Sequence, residues 1–432
     1  MPKLPLEGLR VIDLTIVWAG PFASACLADM GAEVYRVESS QRFDNNNRGH
    51  VPDFERTKRH SGGVHPDARP YDVSPNANTT GRNKYHCTID LTRPEGKEVL
   101  LRLVEKCDVF VENNARETID KLGLTYDVLA ARNPRLVYCS LAAFGCTGPY
   151  AHFRAYGASM EAMVGHTLLR GYTDVDPVHS TNVFIADSTG GAAATFAVLA
   201  GLYQRQRTGR GTFIDMSQAE NMTHSLSQAF MDYSMNRRIQ TSIANRDAAS
   251  APQGVYRCAG DDSWLALSCH DDADFEALCR VMGRSDLAVD ERFLDGAARW
   301  RHQDLLDPEI TAWTIDRDHI EAFHLLQDAG IDAAPVYNVA EVFADPHLSM
   351  HDAWQKVTHP RAGTHDYLRP VIGHMSATPL SIRKYASTVG EDNEYVYKQV
   401  IGYSDDEYQR FVDEGHAGTS FLDFGRAPGA QR

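Results

Sequence analysis

Strand and helix signals alternate through the first 141 residues, and that alternation leaves few folds open. VIDL (11–14) is a short apolar run of strand length. A Gly-Pro break at 20–21 precedes FASACLADM, whose apolar residues recur at helical spacing. Gly31 closes that helix as a C-cap, and AEVYRVE (32–38) is the next strand. The pattern resumes with TIDL (88–91), a helix opened by Pro94 over PEGKEVLLRLVEK, and the strand CDVFVEN (107–113). ETIDKLGL and YDVLAARN read as helices, RLVYCSL (135–141) and GTFIDMS (211–217) as strands. Repeated units of this kind build a parallel sheet with helices on its faces, so the fold class is α/β.

At 432 residues the chain is too long for one small core, which predicts two domains. Residues 43–80 are polar and rich in Pro, His and Arg, a loop or insertion longer than compact domains usually carry. A new unit starts near 251, with GVYRC and SWLALSC as strands and DADFEALCRVMG and HIEAFHLLQDAG as helices. After APVYNVAEVFADP (334–346) the chain reads as strands and one late helix. The expected organisation is a large domain from 1–225, a small domain with its linkers over 226–340, and a return to the large domain over 341–432.

Charge and motif content remove several function classes. A net charge of −15 argues against a nucleic-acid partner, which needs a basic surface. MPKLPLEGLR has no apolar signal core. The uncharged run from Ser188 to Gln204 is rich in Gly, Ala and Thr and reads as a buried helix rather than a membrane span. The eight cysteines form no C-x-x-C pair, so a zinc ribbon or dithiol redox site is a poor fit and the cytoplasm is the expected compartment. Neither H-E-x-x-H nor G-x-S-x-G occurs, against a metal site of that type and a serine hydrolase. G-x-G-x-x-G and the P-loop pattern are missing too.

What remains are carboxylates, turns and scattered cations. NVFIA (182–186) reads as a strand ending at Asp187, and Ser-Thr-Gly-Gly then starts a helix. Ligands of α/β sheets gather at the carboxyl ends of strands, and a carboxylate there can act as a nucleophile. Asp is equally a good helix N-cap, and the two roles can coexist. TIVWAGP (15–21) is a strand-to-helix turn, either plain or aiming its N–H groups at an anion. Arg82, Lys84, Arg116, Lys121 and Arg154 fall near strand ends or loops, as solvated charges or as phosphate contacts. Tyr156 and Glu161 share the apolar helix YGASMEAMVG, facing either a site or the core.

Longer segments carry a resemblance. LEGLRVIDLTIVWAGPFASACLADMGAEVYRVE (6–38), RNKYHCTIDLTRPEGKEVLLRLVEKCDVFVENN (82–114), KLGLTYDVLAARNPRLVYCSLAAFGCTGPY (121–150), ADSTGG (186–191), TGRGTFIDMSQAE (208–220) and AGIDAAPVYNVAEVFADP (329–346) follow one another in order. Together they resemble the class III CoA-transferase family, also called CaiB/BaiF, which includes formyl-CoA transferase. The resemblance implies a Rossmann-like large domain made from both chain ends, a small middle domain, and two subunits interlocked like links of a chain. It implies Asp187 as the nucleophile. Its carboxylate would attack a donor thioester, giving an acyl-aspartyl anhydride and then an aspartyl-CoA thioester. Coenzyme A thioesters are then substrates, and no resident cofactor or metal is needed. Val17, Trp18 and Ala19 fall in the family's turn beside the nucleophile. Asn113 matches an adenosine-side Asn, Lys121 and Arg154 match basic contact positions, and Tyr156 follows. Lys84 completes the candidate CoA-binding set.

Departures set the substrate expectation. Trp18 stands where formyl-CoA transferase has Gln, and Gly157 where many members carry Asp or Glu. The first reading is CoA transfer from an acyl-CoA such as succinyl-CoA to a bulky or aromatic dicarboxylate. The chain would act as a homodimer or as one subunit of a heteromer. A racemase is disfavoured, because the family's racemases use a His-Asp pair where this chain has Tyr156-Gly157.

Overall fold

Six strands of a computed structural model, which describes residues 3–49, 54–55, 63–179, 183–370 and 373–422, form one sheet. They are β1 Arg10–Leu14, β2 Glu33–Glu38, β3 Lys84–Thr88, β4 Val109–Glu112, β5 Val137–Ser140 and β6 Thr212–Asp215, in the order β3-β2-β1-β4-β5-β6. Every neighbouring pair is parallel. The chain winds from β1 towards β3 and then back from β4 towards β6. That reversal leaves a crevice beyond the carboxyl ends of β1 and β4.

The period of two along each strand divides the core between the faces. Val11, Val34, Val109, Val137 and Cys139 point to one face, against Leu27 and Ala28 of the helix Ala19–Asp29 and Ala194, Val198 and Leu202 of the helix Ile185–Thr208. Ile12, Tyr35, Cys87, Phe110 and Tyr138 point to the other, against the helix Pro94–Val104 and the late residues Val396, Tyr397 and Phe411. Each such fully buried aliphatic side chain contributes roughly 1.5–3 kcal/mol. By length and composition Ile185–Thr208 is apolar enough to cross a bilayer. In the fold one face of it packs into the core through Ala194, Val198 and Leu202. A Cβ on its Gly191 would lie 2.7 Å from the Ala19 carbonyl oxygen, so only glycine lets the two helices approach this closely.

Two expected strands differ. The third strand is KYHCT (84–88) rather than TIDL (88–91), because the chain turns at Asp90, whose carboxylate accepts from Thr92 N–H and pairs with Arg93. Lys84 and His86 are buried polar residues whose partners, Asp13 and Glu38, are remote in sequence. NVFIA forms no strand over its described residues. Val183 and Phe184 are about half exposed, and Ile185 already opens the long helix.

Contacts divide the chain into two units, Met1–Val164 with Asn182–Met231 and Asp352–Arg432, and Gly165–Thr181 with Asp232–His351. The second unit holds the antiparallel sheet β7 Gln253–Arg257, β8 Trp264–Ser268 and β9 Asp332–Pro335, around Leu265, Phe275, Leu306 and Leu326. In the first unit β10 Trp354–His359 and β11 Gly363–Leu368 form a hairpin. Described parts of the 43–80 segment are tied to the sheet edge, where Arg48 pairs with Glu38 at 2.6 Å and Tyr71 stacks on Phe421.

Candidate active site

Loop residues 15–18 follow β1 and are clamped from β4. Asn113 Oδ1 accepts Ile16 N–H at 2.7 Å, and its Nδ2 donates to the Ile16 carbonyl at 2.7 Å. Asn114 Nδ2 donates to Leu14 O at 2.9 Å, while its N–H donates to the Glu112 carboxylate at 2.8 Å. Burial pushes Glu112 up to about 7. Held this way, Val17 sits in the left-handed region at φ 65°. A β-branched residue adopts that conformation only where its surroundings enforce it, and such strain gathers at functional sites.

The loop delivers the start of the helix Ala19–Asp29 to Asp187. Ala19 N–H faces the Asp187 carboxylate and works to lower its pKa. A helix N-terminus is a natural place for an anion. Asp187 is the third residue of Ile185–Thr208, not its N-cap. The N-cap is Phe184, at φ 52° and with no side-chain cap bond. The reading of Asp187 as a plain cap at a strand end is therefore replaced. Its carboxylate instead faces the first turn of another helix, which leaves chemistry open to it. Asp187 is 7% exposed. Burial raises its pKa above the usual aspartate value and nearby Glu161 adds to the rise, against the Ala19 N–H.

Gly157 completes the setting. A Cβ there would lie 2.4 Å from Asp187 Oδ2, so the carboxylate occupies the place of a side chain. Trp18 packs edge-to-face on Phe184, with ring centroids 6.5 Å apart. A cavity of about 270 Å³ opens over Asp187, lined also by Val17, Asn113, Arg116, Arg154, Tyr156 and Gln218.

A profile of CoA-transferase family III matches residues 6–393. The chain belongs to CoA-transferase family III. It is 30% identical over 406 residues to the succinyl-CoA–D-citramalate CoA-transferase of Chloroflexus aurantiacus, covering 94% of this chain and 96% of that one. It is 32% identical over 404 residues to the succinate–glutarate CoA-transferase of Agrobacterium fabrum, covering 92% and 96%. The crystal structure of a CaiB/BaiF family protein from Brucella suis superposes with a TM-score of 0.79 at 29% identity, over 92% of this chain and all of the other.

Not every expected site residue of this CoA-transferase meets at the cavity. Val17, Asn113, Arg154, Tyr156 and Asp187 line it, and Ala19 adjoins it through its N–H. Trp18 is not among its lining residues and packs instead on Phe184. Lys121 lies outside it, with its side chain 78% exposed and 3.9 Å from Glu117. Lys84 is corrected: it has no exposed surface, and its Nζ donates to Asp13, the Pro21 carbonyl and Ser24 at 2.8–2.9 Å. A buried ammonium with three acceptors is a structural ion, not a phosphate contact. Arg82 is likewise spent on Asp29, at 2.6 Å. Asn113 differs from its expected use as well, since both ends of its amide already hold Ile16. Gln218 escaped the sequence reading, although its place just after β6 marks a strand-end position.

Proposed function

We propose that this CoA-transferase moves CoA from succinyl-CoA to a dicarboxylic acid with Asp187 as the covalent carrier. The observation that carries the reading is the Asp187 carboxylate itself. It is nearly buried, made more basic by burial and by Glu161, and seated at the first turn of Ala19–Asp29. Relatives named for D-citramalate and glutarate, with succinyl-CoA or succinate, support donor and acceptor class.

Asp187 attacks the donor thioester carbonyl and expels CoA thiolate, leaving a succinyl-aspartyl anhydride. The thiolate attacks the aspartyl carbonyl and releases succinate, leaving aspartyl-CoA thioester. The acceptor carboxylate displaces the thiolate to form a second anhydride. Thiolate attack on its acceptor carbonyl then gives the new thioester and frees Asp187. Each step exchanges one activated carbonyl for another, so the protein must orient groups, stabilise oxyanions and exclude water. The Ala19 N–H, which faces the Asp187 carboxylate, is the candidate donor for an oxyanion at the aspartyl carbonyl. Arg116 and Arg154 offer charge at the cavity for phosphates or for the acceptor's second carboxylate. Gly157 does not widen the acyl pocket, because Asp187 fills its empty side. A preference for a bulky or aromatic acceptor therefore rests on Trp18 and Phe184, whose exposed rings offer a stacking surface.

The large domain is Rossmann-like in this reading, and the enzyme works in the cytoplasm as an interlocked homodimer. Phe196 and Tyr203 support the dimer, being 75% and 63% exposed on a helix whose other face is core. Light scattering at micromolar concentration tests it, and a monomer would refute it.

The decisive test adds succinyl-CoA without acceptor, traps with hydroxylamine and maps the product by mass spectrometry. A hydroxamate at Asp187 is expected. Turnover without any adduct would overturn the covalent mechanism.

A further inference from the structure

Glu161 is a buried acid that takes no part in the bond-making and bond-breaking of the transfer steps. It lies one turn after Gly157 in the helix Gly157–Met163 and has no exposed surface. Its Oε1 accepts Ile185 N–H at 2.8 Å. Ile185 is the first residue of the Asp187 helix, two positions before the nucleophile. A helix start leaves its first N–H groups without intrahelical partners. Phe184 supplies no side-chain acceptor there, and Glu161 supplies one from a different helix. The bond ties the nucleophile's first turn to the helix that carries Gly157.

We infer that Glu161 is a positioning residue for Asp187. It fixes the helical turn that carries Asp187, and its charge beside that turn adds to the nucleophilicity of the Asp187 carboxylate. Residues 157 and 161 sit on one face of their helix. The first makes room for the carboxylate by having no side chain, and the second anchors and charges its surroundings. Charged groups near Asp187 among the described residues can be taken element by element. Thr15 to Phe22 contribute none, and Ser188 to Gln204 of its own helix contribute none. Gly157–Met163 contributes Glu161, and the rest of the cavity contributes Arg116 and Arg154. The inference rests on Asp187 being the nucleophile.

The test uses the full-length enzyme and single-turnover acylation by succinyl-CoA, with Asp187 hydroxamate as product and Asp187→Ala as the background control. Rates are measured against succinyl-CoA concentration and against pH for wild type, Glu161→Gln and Glu161→Ala. Thermal melting and CoA binding are followed in parallel. Glu161→Gln keeps an acceptor for Ile185 N–H but removes the charge. Its limiting rate should fall several-fold at unchanged half-saturation, and the acid limb of its pH profile should move to lower pH. Glu161→Ala removes the anchor too, and its limiting rate should fall roughly another tenfold or more with CoA affinity retained. A Glu161→Gln acid limb at the wild-type position, or a Glu161→Ala rate equal to wild type, overturns the inference. Loss that follows only a lowered melting temperature, with the acid limb unmoved, overturns it as well. If wild type forms no Asp187 hydroxamate, the nucleophile has been misassigned, and Glu161's role falls with it. If wild type forms it and both variants match wild type, only Glu161's role falls.

Discussion

Two buried aspartates in the first unit have opposite surroundings. Asp13, at 0% exposure on β1, faces Lys84 at 2.9 Å and Arg36 at 3.6 Å, with Ser24 donating at 2.7 Å. Burial works to raise its pKa, but Lys84 and Arg36 prevail and hold it at about 2. Asp187, at 7%, faces the Ala19 N–H and the neighbouring acid Glu161, and its pKa is raised by burial first. Two carboxylates with similar burial are thus set apart by their partners. The neutralised one holds the sheet to the helix Ala19–Asp29, and the one with no ion pair among the described residues is available for chemistry. Unneutralised burial marks a candidate functional acid, whereas burial alone does not.

The comparison breaks most sharply in activity. Asp187→Ala should take transfer below detection while melting stays near wild type. Residual turnover within tenfold of wild type would remove Asp187 from the mechanism. Lys84→Met, by contrast, should leave Asp13 and Arg36 in a broken network at a cost of about 3–5 kcal/mol in urea unfolding. A loss below about 1 kcal/mol would show that the network is solvated.

Some of this was legible in the sequence. β1, β2, β4, β5 and β6 overlap their expected positions because each carries its own apolar run. β3 was displaced because Lys84 and His86 look like surface residues until Asp13 and Glu38 are brought beside them. Asp187 was singled out as a candidate from the sequence, but its local structure was not legible there. VFIA has a strand's composition, and it opens a helix because Phe184 turns left-handed and Glu161, more than 20 residues upstream, accepts Ile185 N–H. Pairing across such distances leaves no local signature.

A finer contrast lies in stability against pH. Asp187→Asn should raise the melting temperature at pH 7, because the ionised carboxylate is disfavoured by burial and Glu161. The folded pKa lies above the unfolded one, so the gain should shrink as pH falls through the native Asp187 pKa. Asp13→Asn should lower the melting temperature at pH 7. There the folded pKa lies below the unfolded one, so the wild-type advantage is full above the unfolded aspartate pKa, about 4, and fades as pH falls towards about 2. Calorimetry across that range checks both signs, and equal shifts would erase the distinction between the two acids. The smallest effect belongs to exposed Lys121. Lys121→Ala should raise the KM for acyl-CoA roughly two- to threefold, less so in high salt, with kcat unchanged. A change in kcat would place Lys121 nearer the chemistry than its exposure suggests.

One face of the large sheet is closed by Val396, Tyr397 and Phe411, from the last part of the chain. A ribosome releases these residues only after all six sheet strands and the whole of the second unit have been made. Until then Ile12, Tyr35, Phe110 and Tyr138 lack part of their cover, so the nascent protein carries a sticky surface for most of its synthesis. Truncation near residue 390 should therefore yield a chaperone-bound or aggregated product rather than a shortened enzyme.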